Sequence, residues 1–319
     1  MVTGSPMGMV TGSPTGTYIR FGREIAEVGK RAGLEIVVKE SEGSLDNIRR
    51  LVRKENAAMG IVQSDVLGFL ARSDEAVMRR IAAQLRLIFP FYNEEVHLFA
   101  RRDIQRFEDL AGKRVVVGTP KSGNWLTATN LLRLLNVKPA ERLELPPPEG
   151  VSEVLSGKAD AMFYVAGKPV QLFANMNDLQ QNPQHAALLK NVHFVPLEDP
   201  RILKEYGPAA IAPSDYAWFT TPIKTVAVQA VLISFDFSDR GSTYHRARCE
   251  QLAQLGQVVR DHLPALKQNG HPKWKEVDLE KEMTIWKRDA CSQAAQVRRA
   301  SPRQGDLEKE LKDILTRPK

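Results

Sequence analysis

The chain has 319 residues, of which 43% are hydrophobic and 26% charged, and its formal net charge is +7. That length supports two domains with cores of ordinary size, and the composition is that of a soluble globular protein rather than a disordered or fibrous one. The basic residues are scattered in pairs such as Arg49-Arg50 and Arg101-Arg102, with no zinc-finger spacing, RNA-binding aromatic run or basic helix, so nucleic acid is not the expected partner.

The hexapeptide MVTGSP occurs at Met1 to Pro6 and again at Met9 to Pro14. The repeat reads as a cloning or start-site artefact, and residues 1–8 are accordingly set outside the fold. TGSPTGTY, Thr11 to Tyr18, then opens a helix over Tyr18 to Ala32, with Ile19, Ile25, Ala26 and Val28 among its apolar positions. A β-branched strand follows at Leu34 to Glu40, then a loop at Ser41 to Ser44, a helix carrying Leu45, Ile48, Leu51 and Val52 on one face, and a buried strand at Met59 to Val62. This alternation argues for a parallel sheet covered by helices.

The plan repeats after an extended segment at Glu94 to Asp103. Lys113 to Gly118 forms a strand, GTPKSGNW a loop, and a helix runs to Leu135; a short strand lies near Arg142 to Leu145, and Gly150 to Gly167 supplies a helix and a strand. A second extended crossing, Lys224 to Phe235, leads to helices from Thr243 to about Leu266. Its core from Thr225 to Ile233, interrupted by Gln229, falls far short of the roughly 18 apolar residues of a membrane span. Two crossings around an inserted unit predict a hinged α/β protein, with lobe I over residues 9–98 and 227–295 and lobe II over 101–224. Residues 296–319 form a tail in which Leu307, Leu311, Ile314 and Leu315 make one face of a docking helix.

The chemistry gathers at helix starts, where unpaired backbone N–H groups and the positive end of the macrodipole suit a carboxylate or phosphate. TGSPTGTY lacks both the Gly-Lys-Ser/Thr ending of a nucleotide loop and the dinucleotide glycine pattern, leaving the hydroxyls of Ser13, Thr15, Thr17 and Tyr18 beside Gly16. Ser44 suits either a cap or a ligand, and Gln63-Ser64-Asp65 follows a strand at the carboxyl edge where ligands lie in open α/β sheets. In GTPKSGNW, Ser122, Gly123 and Asn124 offer donors, Lys121 a charge and Trp125 an apolar wall; Tyr164 either reaches the same cleft or packs. The six histidines and the serines form no catalytic or metal spacing, so no enzyme activity, metal or cofactor is expected. Cys249 and Cys291 can be bonded or stand as separate thiols.

Taken together, TGSPTGTY, SEGSLDNIRRL, MGIVQSD, EEVHLFARRDI, FEDLAGKRVVVGTPKSGNW, VSEVLSGKADAMFYVAG and KTVAVQAVLIS, in that order from Met9 to Cys291, resemble the TAXI family of solute receptors, the extracytoplasmic subunits of tripartite ATP-independent periplasmic (TRAP) transporters. The resemblance implies a type II periplasmic binding-protein fold, a monomeric periplasmic receptor whose signal peptide is absent from this chain, a small carboxylate ligand, and delivery to an ion-gradient-driven TRAP-type membrane permease. It places ligand contacts on Thr15, Gly16, Thr17, Tyr18, Ser44, Gln63, Ser64, Ser122, Gly123, Asn124 and Trp125. Gly12-Ser13-Pro14 replaces a Gly-Gly pair, the second loop carries Lys121, Asn124 and Trp125, and NGHPKWKEVD (Asn269 to Asp278) replaces the family's C-terminal pattern. Glutamate is therefore not carried over as the ligand, and an aromatic or bulkier acid fits the second loop. A small-molecule enzyme and an effector-sensing domain are the rival readings of the same two-lobed scaffold.

Overall fold

In the computed structural model of the protein, residues 5–294 are described; the expected tail helix at Leu307 to Leu315 lies outside them. Lobe I begins with β1 (Met7–Val10), α1 (Thr17–Arg31), β2 (Ile36–Lys39), α2 (Ser44–Val52), β3 (Met59–Gln63), α3 (Val66–Ala71) and α4 (Ala76–Gln84). The 17-residue β4 (Leu85–Arg101) carries the chain into lobe II. There follow β5 (Arg114–Val116), α5 (Gly123–Leu134), β6 (Glu141–Leu143), α6 (Pro147–Leu155) and β7 (Ala161–Ala166). The short helices α7 (Gln171–Ala174), α8 (Asn177–Gln180) and α9 (Pro183–Leu189) lead to β8 (Val192–Phe194) and β9 (Gly207–Ile211). Strand β10 (Ile223–Phe235) returns the chain to lobe I, where α10 (Thr243–Asn269) completes the lobe.

The strands run in the order β2-β1-β3-β10-β4-β7-β5-β6. β1 is parallel to β2 and β3, and β5 is parallel to β6 and β7, so each lobe carries the expected crossover unit. β10 is antiparallel to β3 and to β4, and β4 is antiparallel to β7. This two-lobed α/β topology, with two crossing strands shared by both lobes, is the type II periplasmic binding-protein fold.

The start of the chain departs from expectation. Met7 and Gly8 belong to β1, pairing with Ile36 and Val37, and Met7 is wholly buried. A strand flanked by parallel neighbours and covered by helices is apolar throughout, and MGMV satisfies that demand. Met7 and Gly8 are therefore part of the fold, since they supply half of β1. Helices α3 and α4 and the first part of β4, LRLIFPFYN, were not predicted from the pattern; a continuous apolar run carries neither period.

Lobe I packs Phe21 of α1 face to face with Trp274, their centroids 4.2 Å apart, and the Trp274 indole N–H donates to Glu24. Trp274 is fully buried, so the unusual segment Asn269 to Asp278 seals the lobe I core. Cys249 of α10 and Cys291 form a disulfide, resolving the alternative left open by the sequence.

Candidate functional site

Three helices begin at one cleft. The N-cap of α1 is Gly16 and that of α2 is Gly43, and neither receives a side-chain cap, so the first amides of both helices stay available. Gly43 adopts φ +120°, a conformation that favours glycine, and a Cβ built on it would lie 3.6 Å from the Lys121 carbonyl of the opposite lobe. Helix α5 is capped by Ser122, whose Oγ accepts from the Trp125 amide at 3.2 Å. The cleft between these starts encloses about 430 Å³.

Nine of the expected residues line it: Gly16, Thr17, Tyr18 and Ser44, then Gln63, Ser122, Gly123, Asn124 and Tyr164. Several of their side chains are already engaged by the protein. Ser44 Oγ accepts from the Gln63 amide at 2.9 Å, and Asn124 Oδ1 accepts from the Val165 amide at 2.7 Å, so each ties a helix start to a strand end. The lobes meet at this level, because a Cβ on Gly123 would come within 2.4 Å of Gln63 Nε2.

Four expected residues stand outside the lining. Thr15 is exposed on its loop. Ser64 faces the crossing strands, where its Oγ accepts from the Gln229 amide at 2.9 Å and its own amide donates to the Gln229 carbonyl. Lys121 reaches over the mouth to pair with Glu42 at 3.2 Å, both ends more than half exposed. Trp125 is not a cleft wall: its ring meets Phe69 of lobe I edge-on at 5.9 Å and the Arg142 guanidinium at 5.5 Å, and its N–H donates to Glu144.

The residues missed from sequence are on the floor. Glu94, on β4, is nine-tenths buried, lines the cavity beside Tyr92, and accepts from the Tyr18 hydroxyl at 2.8 Å. Burial pushes its carboxyl up to about 8, against the Tyr18 hydrogen bond, and the nearby Asp65 and Glu95 push the same way. No Lys or Arg lines the cavity among the described residues; its charged members are Glu42 and Glu94. A negative group would be met there by backbone amides and hydroxyls at the helix starts and by the Gln63 amide, and a positive or donating group by the carboxyls of Glu94 on the floor and Glu42 at the mouth.

No group of His, Cys, Asp and Glu among the described residues is arranged to hold a metal ion, and no helix among them is long and apolar enough to cross a membrane. The fold and the cleft define a two-lobed α/β protein with a cavity between its lobes. The chain belongs to the NMT1-like family, whose match spans residues 9–274. Curated proteins give no match to the sequence. Among solved structures, the chain is similar to the GluR0 ligand-binding core from Nostoc punctiforme in complex with L-glutamate, at 19% identity over 85% of this chain and 96% of that one, TM-score 0.46. It is similar also to the arginine-, lysine-, histidine-binding protein ArtJ from Geobacillus stearothermophilus (15% identity, 82% and 91% coverage, TM-score 0.44). A third is MatC from Rhodopseudomonas palustris with bound malate (12% identity, 92% and 95% coverage, TM-score 0.45).

Proposed function

We propose that this chain is a non-catalytic extracytoplasmic receptor that captures a small organic acid between its lobes and passes it to a TRAP-type, ion-gradient-driven permease. The observation that carries the reading is the convergence of three helix starts, two from lobe I and one from lobe II, on a cavity that no basic side chain among the described residues lines. Fixed amides neutralise a carboxylate without a counter-ion, and contacts supplied by both lobes at once favour the closed form over the open one. Glu94 at the floor adds a second requirement. The ligand is an acid that also presents an ammonium or other donor, as an amino acid does, so that it compensates the buried carboxyl.

The test is calorimetric titration of the purified protein with matched sets of simple carboxylates, keto acids and amino acids, each followed by small-angle scattering and by product analysis. Tight binding of one acid with ligand-induced compaction and unchanged ligand supports the receptor. Turnover of the bound acid would transfer the scaffold to the enzyme class, and failure of every acid to bind would end the carboxylate reading. Uptake in vesicles carrying a TRAP-type permease, dependent on an ion gradient and indifferent to ATP, tests the delivery step.

A further inference from the structure

Behind the cleft the two lobes are joined by a buried polar chain that the ligand does not touch. Asp65, at the end of β3 and fully buried, belongs to lobe I; Thr127 and Asn130 on α5, with Glu205 and Tyr206 before β9, belong to lobe II. The hydroxyls of Thr127 and Tyr206 lie 2.7 and 2.8 Å from Asp65 Oδ2, and Asn130 Nδ2 donates to the Tyr206 oxygen at 2.9 Å. Alongside, Arg72 of lobe I makes a forked pair with Glu205 of lobe II and reaches Asn130.

Counting protons along this chain gives an unexpected result. Thr127 Oγ1 lies within reach of two acceptors, Asp65 Oδ2 and Gln63 Oε1, the latter at 3.1 Å, yet a threonine hydroxyl has one proton to give. Asp65 Oδ1 is buried with no hydrogen-bond partner. An ionised Asp65 would leave a charged oxygen orphaned and Gln63 Oε1 without its donor. A protonated Asp65 supplies the missing donor and leaves Oδ1 a neutral rather than a charged oxygen: Asp65 Oδ2 donates to Thr127, Thr127 donates to Gln63 Oε1, Tyr206 donates to Asp65 Oδ2, and Gln63 Nε2 is held over Gly123 in the cleft.

We infer that Asp65 is the proton-dependent bolt of an interlobe latch: protonated, it locks lobe I to Thr127 and Tyr206 of lobe II and fixes the Gln63 amide at the ligand; ionised, it releases them. The charged and titratable groups around it act in one sense or are already committed. Glu205 opposes its ionisation, Glu94 is itself raised to about 8 by burial, the Arg72 guanidinium is paired with Glu205, and Tyr206 and Tyr18 are neutral phenols raised by burial. Desolvation accordingly pushes the Asp65 carboxyl up to about 7 in the closed form. Opening exposes it to water and returns it toward the ordinary carboxylate range, so closure takes up a proton. The latch is fully engaged well below pH 7 and is lost as pH rises through that value, the closure equilibrium changing by up to about tenfold per pH unit on the acid side.

The inference rests on the two-lobed receptor reading for its use, but its test needs no ligand. Small-angle scattering of the ligand-free protein across pH 5 to 9 should show the compact form giving way to an expanded one as pH rises toward about 7, with no further change above it. Asp65→Asn, which keeps a donor toward Thr127 at every pH, should remain compact throughout; Tyr206→Phe should expand already at low pH. The same titration in Glu94→Gln separates the floor carboxyl from the bolt and should keep the wild-type profile. A radius of gyration independent of pH in the wild type, or an unchanged profile in folded Asp65→Asn, overturns the latch; the first result would mean that Gln63 presents its NH2 to Thr127 and that Asp65 stays ionised. Loss of the latch with acid binding intact would leave the receptor standing, and a working latch with no acid bound would do the reverse.

Discussion

At the scale of single residues, the proposed ligand preference turns on Glu94. Its carboxyl, raised by burial to about 8, favours the protonated form at neutral pH. Binding an ammonium group requires the ionised form, so an amino-acid ligand must expel that proton. With the Asp65 latch taken out of the titration by Asp65→Asn, affinity for such a ligand should rise as pH climbs toward 8, by up to about tenfold per unit, and level off above it. Calorimetry in buffers of different ionisation enthalpy will detect the released proton, and Glu94→Gln should remove both the slope and the preference for an amine over a keto group. Sequence made the loops legible, since hydroxyls and glycines before an apolar helix have few other uses. It did not reveal Glu94, one of two adjacent acids on an extended strand, because the choice of which faces the ligand depends on strand pairing far away in the chain. Trp125 misled for a similar reason: its setting is made by Phe69, a residue of the other lobe.

At the scale of elements, the alternation of strand and helix was readable because parallel strands and amphipathic helices leave different periods in the sequence. The elements that escaped, α3, α4 and the first half of β4, are those whose burial is set by both lobes or on both faces. Strand β1 is the instructive correction. A Cβ on Gly8 would sit 1.6 Å from the Asn56 carbonyl oxygen, with backbone on both sides and no flexible side chain to yield. Gly8→Ala should therefore destabilise lobe I by several kcal/mol, on the order of about 3 or more for a backbone clash in the core, and reduce the soluble folded yield. Chemical denaturation followed by circular dichroism measures this, and an unchanged midpoint would return residues 1–8 to the status of an appendage. Ser64, expected at the ligand, is similarly structural: without its hydroxyl the Gln229 amide would be a buried donor with no acceptor.

At the scale of the whole molecule, the disulfide between Cys249 and Cys291 ties the last helix of lobe I to the segment that follows it. Closing a loop of sequence separation 42 contributes about 4 kcal/mol in the chain-entropy account. The double variant Cys249→Ser, Cys291→Ser should lose that amount in urea unfolding while leaving the cleft and its ligand affinity unchanged, and a larger effect on binding than on stability would contradict this division. The crossing strands, by contrast, govern both lobes. Pairing of β10 with β4 shifts register between Gln229, opposite Asn93, and Val231, opposite Pro90, so β4 carries an extra residue at Phe91 and Tyr92. Tyr92 sits on this irregularity and Glu94, in regular pairing with Val228, two residues beyond it; both line the floor, whereas Glu42 and Lys121 sit at the mouth. In mechanical terms the floor is at the pivot and the mouth at the ends of the lever arms. In the proposed closure, a rotation there would displace the floor little and sweep the mouth far, so a ligand would meet its deepest contacts while the lobes were still apart, and the rim ion pair would close over a choice already made.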